Sequence, residues 1–303
     1  MITIAAPPGC TVRALTLADL DAAYALYAAA EAVDAGEANI EREDLESDWQ
    51  RPHFDLTRHS VGIFDGDGAL IAAAERSWAR RGEAAVHPER RGEGLGTWLA
   101  GWLRATASEA GDSRIGTTVP QGSAGETLLH DLGYRPLWTS WVLEVPEGAE
   151  IAAQPLPAGY RLRTYAGEAD AHAAYRLIED AFNEWPERDP RPFDDWRLDV
   201  VGRTGFDPWQ VRLVETDACE PVGVALSILD SQGSLYVAQL AVRADQRRRG
   251  LARALLADAF ARGREHGARR FELSTDSRTG ALDVYFSVGM VVTKTWVHLS
   301  TPL

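Results

Sequence analysis

Lysine is almost absent from this chain: Lys294 is the only one, and arginine supplies nearly all the positive charge. Basic residues as a whole are outnumbered, 31 against 45 acidic ones, for a formal net charge of −14. That balance excludes a broad basic surface, so neither nucleic acid nor an anionic membrane is expected as a partner. Cysteine is scarce, and Cys10 and Cys219 stand far apart without metal-ligand spacing. A disulfide framework is thereby excluded, and a reducing cytoplasm is the expected compartment. The seven histidines show no metal spacing either, so no metal is expected. No uninterrupted apolar run is long enough to span a membrane. Met1-Ile-Thr-Ile lacks a basic region and the helical stretch after Thr16 carries acids, so no signal peptide is expected. No Ser/His/Asp or Cys/His arrangement stands out, which argues against a covalent intermediate.

What is present begins with length. At 303 residues the chain exceeds one ordinary domain, and its apolar fraction of 45% supplies a sizeable core. The most informative stretch is 239–256, where the apolar, β-prone Gln239-Leu-Ala-Val runs into Arg247-Arg-Arg-Gly250 and then into an amphipathic helix. A helix start presents unpaired N–H groups and the positive end of a dipole, which together suit a phosphate. Gly250 allows close approach, since a Cβ there would hold the ligand away. Cations at a helix N-terminus are mildly disfavoured by the dipole, so three arginines there point to a bound anion rather than to a solvated face.

Read in order, the chain predicts a strand at 11–16, a helix from a Thr16 cap to about 35, and an acidic helix near 41–49. A hairpin at 60–64 and 69–78 turns on Asp65-Gly-Asp-Gly68. A glycine-rich turn, a helix, a strand at 113–119, a short helix at 127–132 and a strand at 138–145 follow. The proline- and glycine-rich joint 146–159 is the natural boundary. Beyond it the order restarts, with a strand at 160–164, a helix at 169–182, a polar segment at 183–207, a hairpin at 210–215 and 222–229, and a strand at 234–242. Val86 and Val242, Gly94 and Gly250, and Gly133 and Gly289 are each 156 residues apart. Equal spacing at three landmarks identifies a tandem repeat of one fold.

The landmarks Arg91-x-x-Gly94-x-Gly96 and Arg247-x-x-Gly250-x-Ala252, with Tyr285-Phe-Ser-Val-Gly-Met290 downstream, carry a resemblance. They resemble the acyl-CoA-binding motif and the tyrosine signature of the GNAT acyltransferases, and the tandem layout is most similar to mycothiol-synthase-like acetyltransferases. The resemblance implies an α/β (α+β) fold of two tandem GNAT-like domains, residues 1–148 and 158–303, each a mixed, mainly antiparallel sheet flanked by helices. It implies acetyl-CoA as cosubstrate and a small-molecule amine as acceptor, with the chain a monomer or homodimer. Backbone groups of Leu240, Ala241 and Val242 would pair with the pantetheine arm, and N–H groups of Arg247, Arg248, Arg249, Gly250, Leu251 and Ala252 would hold the pyrophosphate. Ala84, Val86, Arg91, Gly92, Gly94 and Gly96 are the corresponding cofactor positions of the first copy. Tyr285 matches the family's general acid, a phenol of pKa near ~10 protonating a departing thiolate.

Two positions depart from the pattern. Leu129 stands where the first copy would need Tyr285, so that copy is expected to bind or to support rather than to catalyse. Tyr236 stands where the mycothiol-synthase-like pattern has a glutamate, which leaves the general base to Glu184 or Asp230 through water, or to an amine that arrives neutral. Glu184, Trp185, Asp194 and Trp196 are the candidates for gripping a cationic acceptor, each tryptophan having packing as its ordinary role. Tyr236 and Gln239 complete the candidate acceptor side, Gln239 either facing the cleft or satisfying a strand neighbour. Two other readings compete with acetyl transfer: a non-catalytic CoA-sensing or substrate-binding protein, and, more weakly, aminoacyl transfer from tRNA, which the net charge opposes.

Overall fold

The computed structural model describes residues 5–38, 40–51, 54–77, 80–149, 151, 153–184 and 190–303. Chain order begins β1 (Thr11–Arg13), α1 (Leu20–Asp34), α2 (Arg42–Trp49), α3 (Leu56–His59), β2 (Ser60–Phe64), β3 (Leu70–Ser77) and β4 (Arg81–Val86). It continues α4 (Leu95–Glu109), β5 (Arg114–Pro120), α5 (Ala124–Asp131) and β6 (Arg135–Glu144). The order then restarts with β7 (Tyr160–Thr164), α6 (Glu168–Phe182), α7 (Phe193–Val200), β8 (Val211–Thr216), β9 (Pro221–Leu229) and β10 (Ser234–Val242). It closes with α8 (Leu251–Glu265), β11 (Arg270–Asp276), α9 (Leu282–Phe286) and β12 (Val291–Pro302).

Local chemistry sets these boundaries. The Thr16 backbone N–H and hydroxyl both donate to Asp19 Oδ2 at 2.8 Å, closing a 3-10 turn that launches α1. Asp65 Oδ1 accepts from the N–H groups of Asp67 and Ala69 and closes the β2–β3 hairpin. Ser123 caps α5 by accepting from the Glu126 N–H. The polar segment 183–207 holds α7, whose Trp196 and Val200 are buried and whose Asp194 and Asp195 occupy the first turn.

Two compact units result, Met1–Ser140 with Lys294–Leu303, and Trp141–Thr293. In the first, strands run in the order β1-β2-β3-β4-β5 and then β12. In the second the order is the end of β6, then β11-β10-β9-β8-β7. Within each unit one ladder is parallel, β4 with β5 and β10 with β11. The other registered ladders are antiparallel. Helices cover both faces. In the first unit α1 and α2 bury Leu20, Leu26 and Trp49 against one face, and α4 buries Leu95, Leu99 and Leu103 against the other. In the second, α6 and α7 pack with Ile178 and Trp196 on one face, and α8 packs with Leu255, Leu256 and Phe260 on the other. Each unit is therefore the mixed, mainly antiparallel sheet flanked by helices that the sequence predicts.

The repeat is visible in the backbone itself. Helices α4 and α8 are both 15 residues long and start after left-handed glycines, Gly94 at φ 82° and Gly250 at φ 84°. Gly133 and Gly289 match at φ 86° and 85°.

One division differs from the sequence expectation. With a boundary in 146–159, each copy keeps its own closing strand. In the structure β12 pairs with β5 from Trp296↔Pro120 to Pro302↔Arg114, so residues 294–303 complete the first unit. The end of β6 enters the second unit, with Leu143 fully buried among Phe271 and Leu273. Because β6 and β12 occupy the same place in the repeat, either satisfies the same slot, and a hydrophobic pattern alone does not say which.

Candidate active site

Strand β10 positions the site. Its parallel pairing with β11 covers only residues 234–237 of β10, from Ser234↔Arg270 to Val237↔Leu273. Its antiparallel pairing with β9 continues to Val242↔Gly223, after a bulge at Ala238. Past the bulge, the β11-side edge of β10 has no registered partner, so backbone groups of Leu240, Ala241 and Val242 line an opening between two diverging strands. An extended ligand arm is recognised by such an edge as an added strand is.

The turn after β10 supplies the charge. Arg247 is not a free cation: its Nη1 and Nη2 donate to both oxygens of Glu184 at 2.8 Å, and its Nε donates to the Val242 carbonyl at 3.0 Å. Arg248 and Arg249 are exposed and have no ion-pair partner among the described residues. Arg248 sits in the left-handed region at φ 62°, a conformation that disfavours any residue with a Cβ by roughly 1–2 kcal/mol. Strain held beside unpaired charge at a helix start is characteristic of a ligand site. Gly250 follows at φ 84°, with open space over its Cα apart from Arg253 Nη2 at 3.8 Å.

Tyr285 lies on α9, 8% exposed, in the core formed by Leu273, Val288 and Met290. Thr275 and Thr279 share a hydroxyl hydrogen bond of 2.9 Å, and Thr279 Oγ1 accepts from the Ala281 N–H, which fixes the approach to α9. Burial raises the Tyr285 pKa above that of an ordinary phenol; a hydrogen bond with Thr275 opposes this, and the nearby Tyr236 adds to it. The group is therefore fully protonated at neutral pH, as a proton donor must be.

The acceptor-side candidates divide. Trp196 is fully buried and stacks near Phe193 and Tyr175, so it cannot line an open cleft. Its indole N–H donates to Gln239 Oε1 at 3.2 Å, which makes it the residue that aims Gln239. Gln239 is thus a strand residue held from below rather than a free one. Asp194 is exposed in the first turn of α7. Glu184 is paired with Arg247, which pulls its pKa down. Asp230 Oδ1 accepts from the N–H groups of Gln232 and Ser234, which fixes the carboxylate in the β9–β10 turn. Trp185 lies outside the described residues.

The first unit repeats the turn with different contents. Registered pairing of β4 with β5 is confined to Arg81↔Gly116, so Ala84 and Val86 also border a gap. Arg91 donates to both oxygens of Asp34 at 2.8 and 2.9 Å, matching the Arg247–Glu184 clamp. Gly92 and Gly94 are both left-handed at φ 82°. Gly96 has a packing reason as well, since a Cβ would come within 2.7 Å of Leu128 Cδ2. Leu129, in the place of Tyr285, is buried in the hydrophobic core.

A diverging parallel strand pair, a left-handed glycine turn opening a helix, and a buried tyrosine behind them define a CoA-dependent acyltransferase. The acetyltransferase (GNAT) family model matches residues 171–290, which covers this site. Over 234 residues the chain is 32% identical to a mycothiol acetyltransferase from Beutenbergia cavernae, covering 73% of this chain and 76% of the relative. A GCN5-related N-acetyltransferase from Sphaerobacter thermophilus superimposes with a TM-score of 0.83 at 30% identity, covering 98% of this chain and 96% of its own. A tandem GNAT protein from the clavulanic acid biosynthesis pathway shares the fold, with a TM-score of 0.70 at 16% identity over 97% and 98% of the two chains. The chain belongs to the GNAT family and is an N-acetyltransferase of that family, whose members use acyl-CoA. No helix among the described residues is long and apolar enough to cross a membrane.

Proposed function

We propose that the second unit transfers an acetyl group from acetyl-CoA to a primary amine of a small-molecule acceptor, by direct attack and without an acyl-enzyme. The observation that carries this reading is the pair of unpartnered arginines, Arg248 and Arg249, on the strained turn that opens α8. Pyrophosphate oxygens would take N–H groups of residues 247–252 and these two guanidiniums, while the pantetheine arm would lie along Leu240, Ala241 and Val242. The amine nitrogen forms its bond to the thioester carbon, the C–S bond breaks, and the leaving sulfur takes the Tyr285 proton. The first unit, with Leu129 for the acid, serves as a binding or structural domain.

Relatives named mycothiol acetyltransferases make an acceptor of the mycothiol kind the first to test. Tyr285→Phe is expected to lower kcat about 10²- to 10⁴-fold while leaving acetyl-CoA affinity unchanged by calorimetry. Unchanged turnover in the variant would refute the assignment. The alternative of a CoA-sensing protein draws on Tyr236 in place of a strand glutamate; acetyl-CoA binding without thiol release over a broad amine panel would favour it.

A further inference from the structure

We infer that Glu272, on β11, is the general base that deprotonates the acceptor, and that it stands in for the carboxylate missing at Tyr236. The inference rests on the transferase reading above. In the parallel ladder Tyr236 is registered directly with Glu272, one pair before the last at Val237↔Leu273. The two side chains therefore rise side by side at the closed end of the gap between the strands.

Face and environment agree. Phe271 and Leu273 are 5% and 2% exposed in the core under α8, so alternation sends Glu272 to the opposite face. Tyr236 shares that face, because its partner across β9, Ile228, packs on the α6–α7 core. The bulge at Ala238 keeps Gln239 there too, held by Trp196. Glu272 is half-buried, and Ser234 Oγ donates to its Oε1 at 2.9 Å. Its Oε2 accepts no hydrogen bond from a described residue, and no described cation pairs with it. Glu184 is in contrast engaged at both oxygens by Arg247, and Asp230 lies in the β9–β10 turn, where its Oδ1 accepts from the N–H groups of Gln232 and Ser234. Alternation along β11 also puts Arg270 on that face, the helices α6 and α7 that cover it carry Glu179, Asp180, Asp194, Asp195 and Arg197, and Glu144 on β6 accepts at Oε1 from Thr293 Oγ1 at 3.1 Å.

The proton balance closes. Glu272 takes one proton from the acceptor ammonium, and the neutral amine attacks the thioester carbon. The C–N bond forms, the C–S bond breaks, and the thiolate takes the Tyr285 proton. The second proton lost by the nitrogen restores the phenol, and Glu272 releases its own to water, for a net yield of amide, CoA thiol and one proton.

The test uses the whole chain with acetyl-CoA and an amine that the wild-type protein acetylates. Glu272→Gln should lower kcat/KM about 10²- to 10³-fold. Its pH profile should lose the limb that belongs to the carboxylate and follow only the ionisation of the acceptor ammonium, while acetyl-CoA affinity and melting temperature stay as in the wild type. Glu272→Asp should restore part of the rate and the wild-type profile, a rescue that a packing role would not produce. Wild-type kcat/KM in Glu272→Gln, or a pH profile unchanged in it, would overturn the assignment. Absence of turnover by the wild-type protein itself would overturn the transferase reading and the base together, and appears before any variant is made.

Discussion

The two phosphate turns share a backbone and differ in charge. Position by position, Arg90, Arg91, Gly92, Glu93 and Gly94 of the first correspond to Gln246, Arg247, Arg248, Arg249 and Gly250 of the second. In the first, Arg90 donates to Glu93 at 2.9 and 3.0 Å and to Asp65 at 3.2 Å, and Arg91 is held by Asp34, so both cations are neutralised from within. In the second, Glu184 neutralises Arg247 alone. The comparison teaches that one glycine-helix turn can carry two charge states, with its cations paired to carboxylates in the first unit and with Arg248 and Arg249 left without an ion-pair partner among the described residues in the second.

The sheet faces diverge in the same way. Across the first unit's β3–β4 ladder Glu75 is registered with Glu83; at the matching place in the second unit Leu226 is registered with Gln239. Glu75 is 9% exposed and accepts from the Tyr27 hydroxyl at 3.0 Å. Desolvation pushes its pKa up to about 7; Tyr27 and Trp49 resist the shift, and Glu83 and Asp48 add to it.

Four experiments would break or sharpen this contrast. The largest effect is that of Tyr285→Phe on turnover, about 10²- to 10⁴-fold, since the first unit offers only Leu129 in its place. Next comes Glu75→Gln. Between the ordinary 4.5 and about 7 the folded state holds a proton that the unfolded state has lost, so Glu75 makes stability fall as pH rises through that window. By pH 8 the loss amounts to about 3 kcal/mol. The variant should remove that slope in urea titrations at pH 5 and pH 8 and be the more stable protein at the higher pH; an unchanged slope would remove Glu75 from the account.

Third, Arg248→Ala with Arg249→Ala should weaken acetyl-CoA binding about tenfold to a hundredfold, with the salt dependence of binding reduced. Arg90→Ala should change it by less than about twofold, and equal losses at both turns would abolish the distinction between them. The smallest effect is Arg248→Gly, which copies Gly92. Relief of the left-handed strain should raise stability by roughly 0.5–1 kcal/mol after the entropy of the added glycine, while acetyl-CoA affinity falls. A destabilised variant would show that Arg248 is not strained.

Local signals made most of the fold legible. Glycine turns, helix starts and the 156-residue offset depend on residues close in sequence, and they made the tandem fold legible. The bounds of helix α7 are not marked in the sequence, because its apolar residues Phe193, Trp196 and Val200 lie among acids and prolines, although their spacing is helical. The bulge at Ala238 depends on how β9 meets β10, and no residue near Ala238 announces it. Trp196 reads in sequence as a packing residue first and as an acceptor candidate only within its group, and it is a buried clamp on Gln239, a contact that only the packed unit discloses. Glu272 went unnoticed as one polar residue of an alternating strand, though an acid between Phe271 and Leu273 was the available signal.

The closing strand of the first unit sets a timetable. His298 lies against Thr118, 180 residues earlier, with their side chains 2.9 Å apart, and Ser300 Oγ donates to the Ile115 carbonyl across 185 residues. A ribosome making this chain exposes β5 long before residues 294–303 exist, so the pairing of β5 with β12 forms only after the whole second unit has been synthesised. The first unit therefore reaches its final form only with residues that lie beyond the whole of the second in sequence.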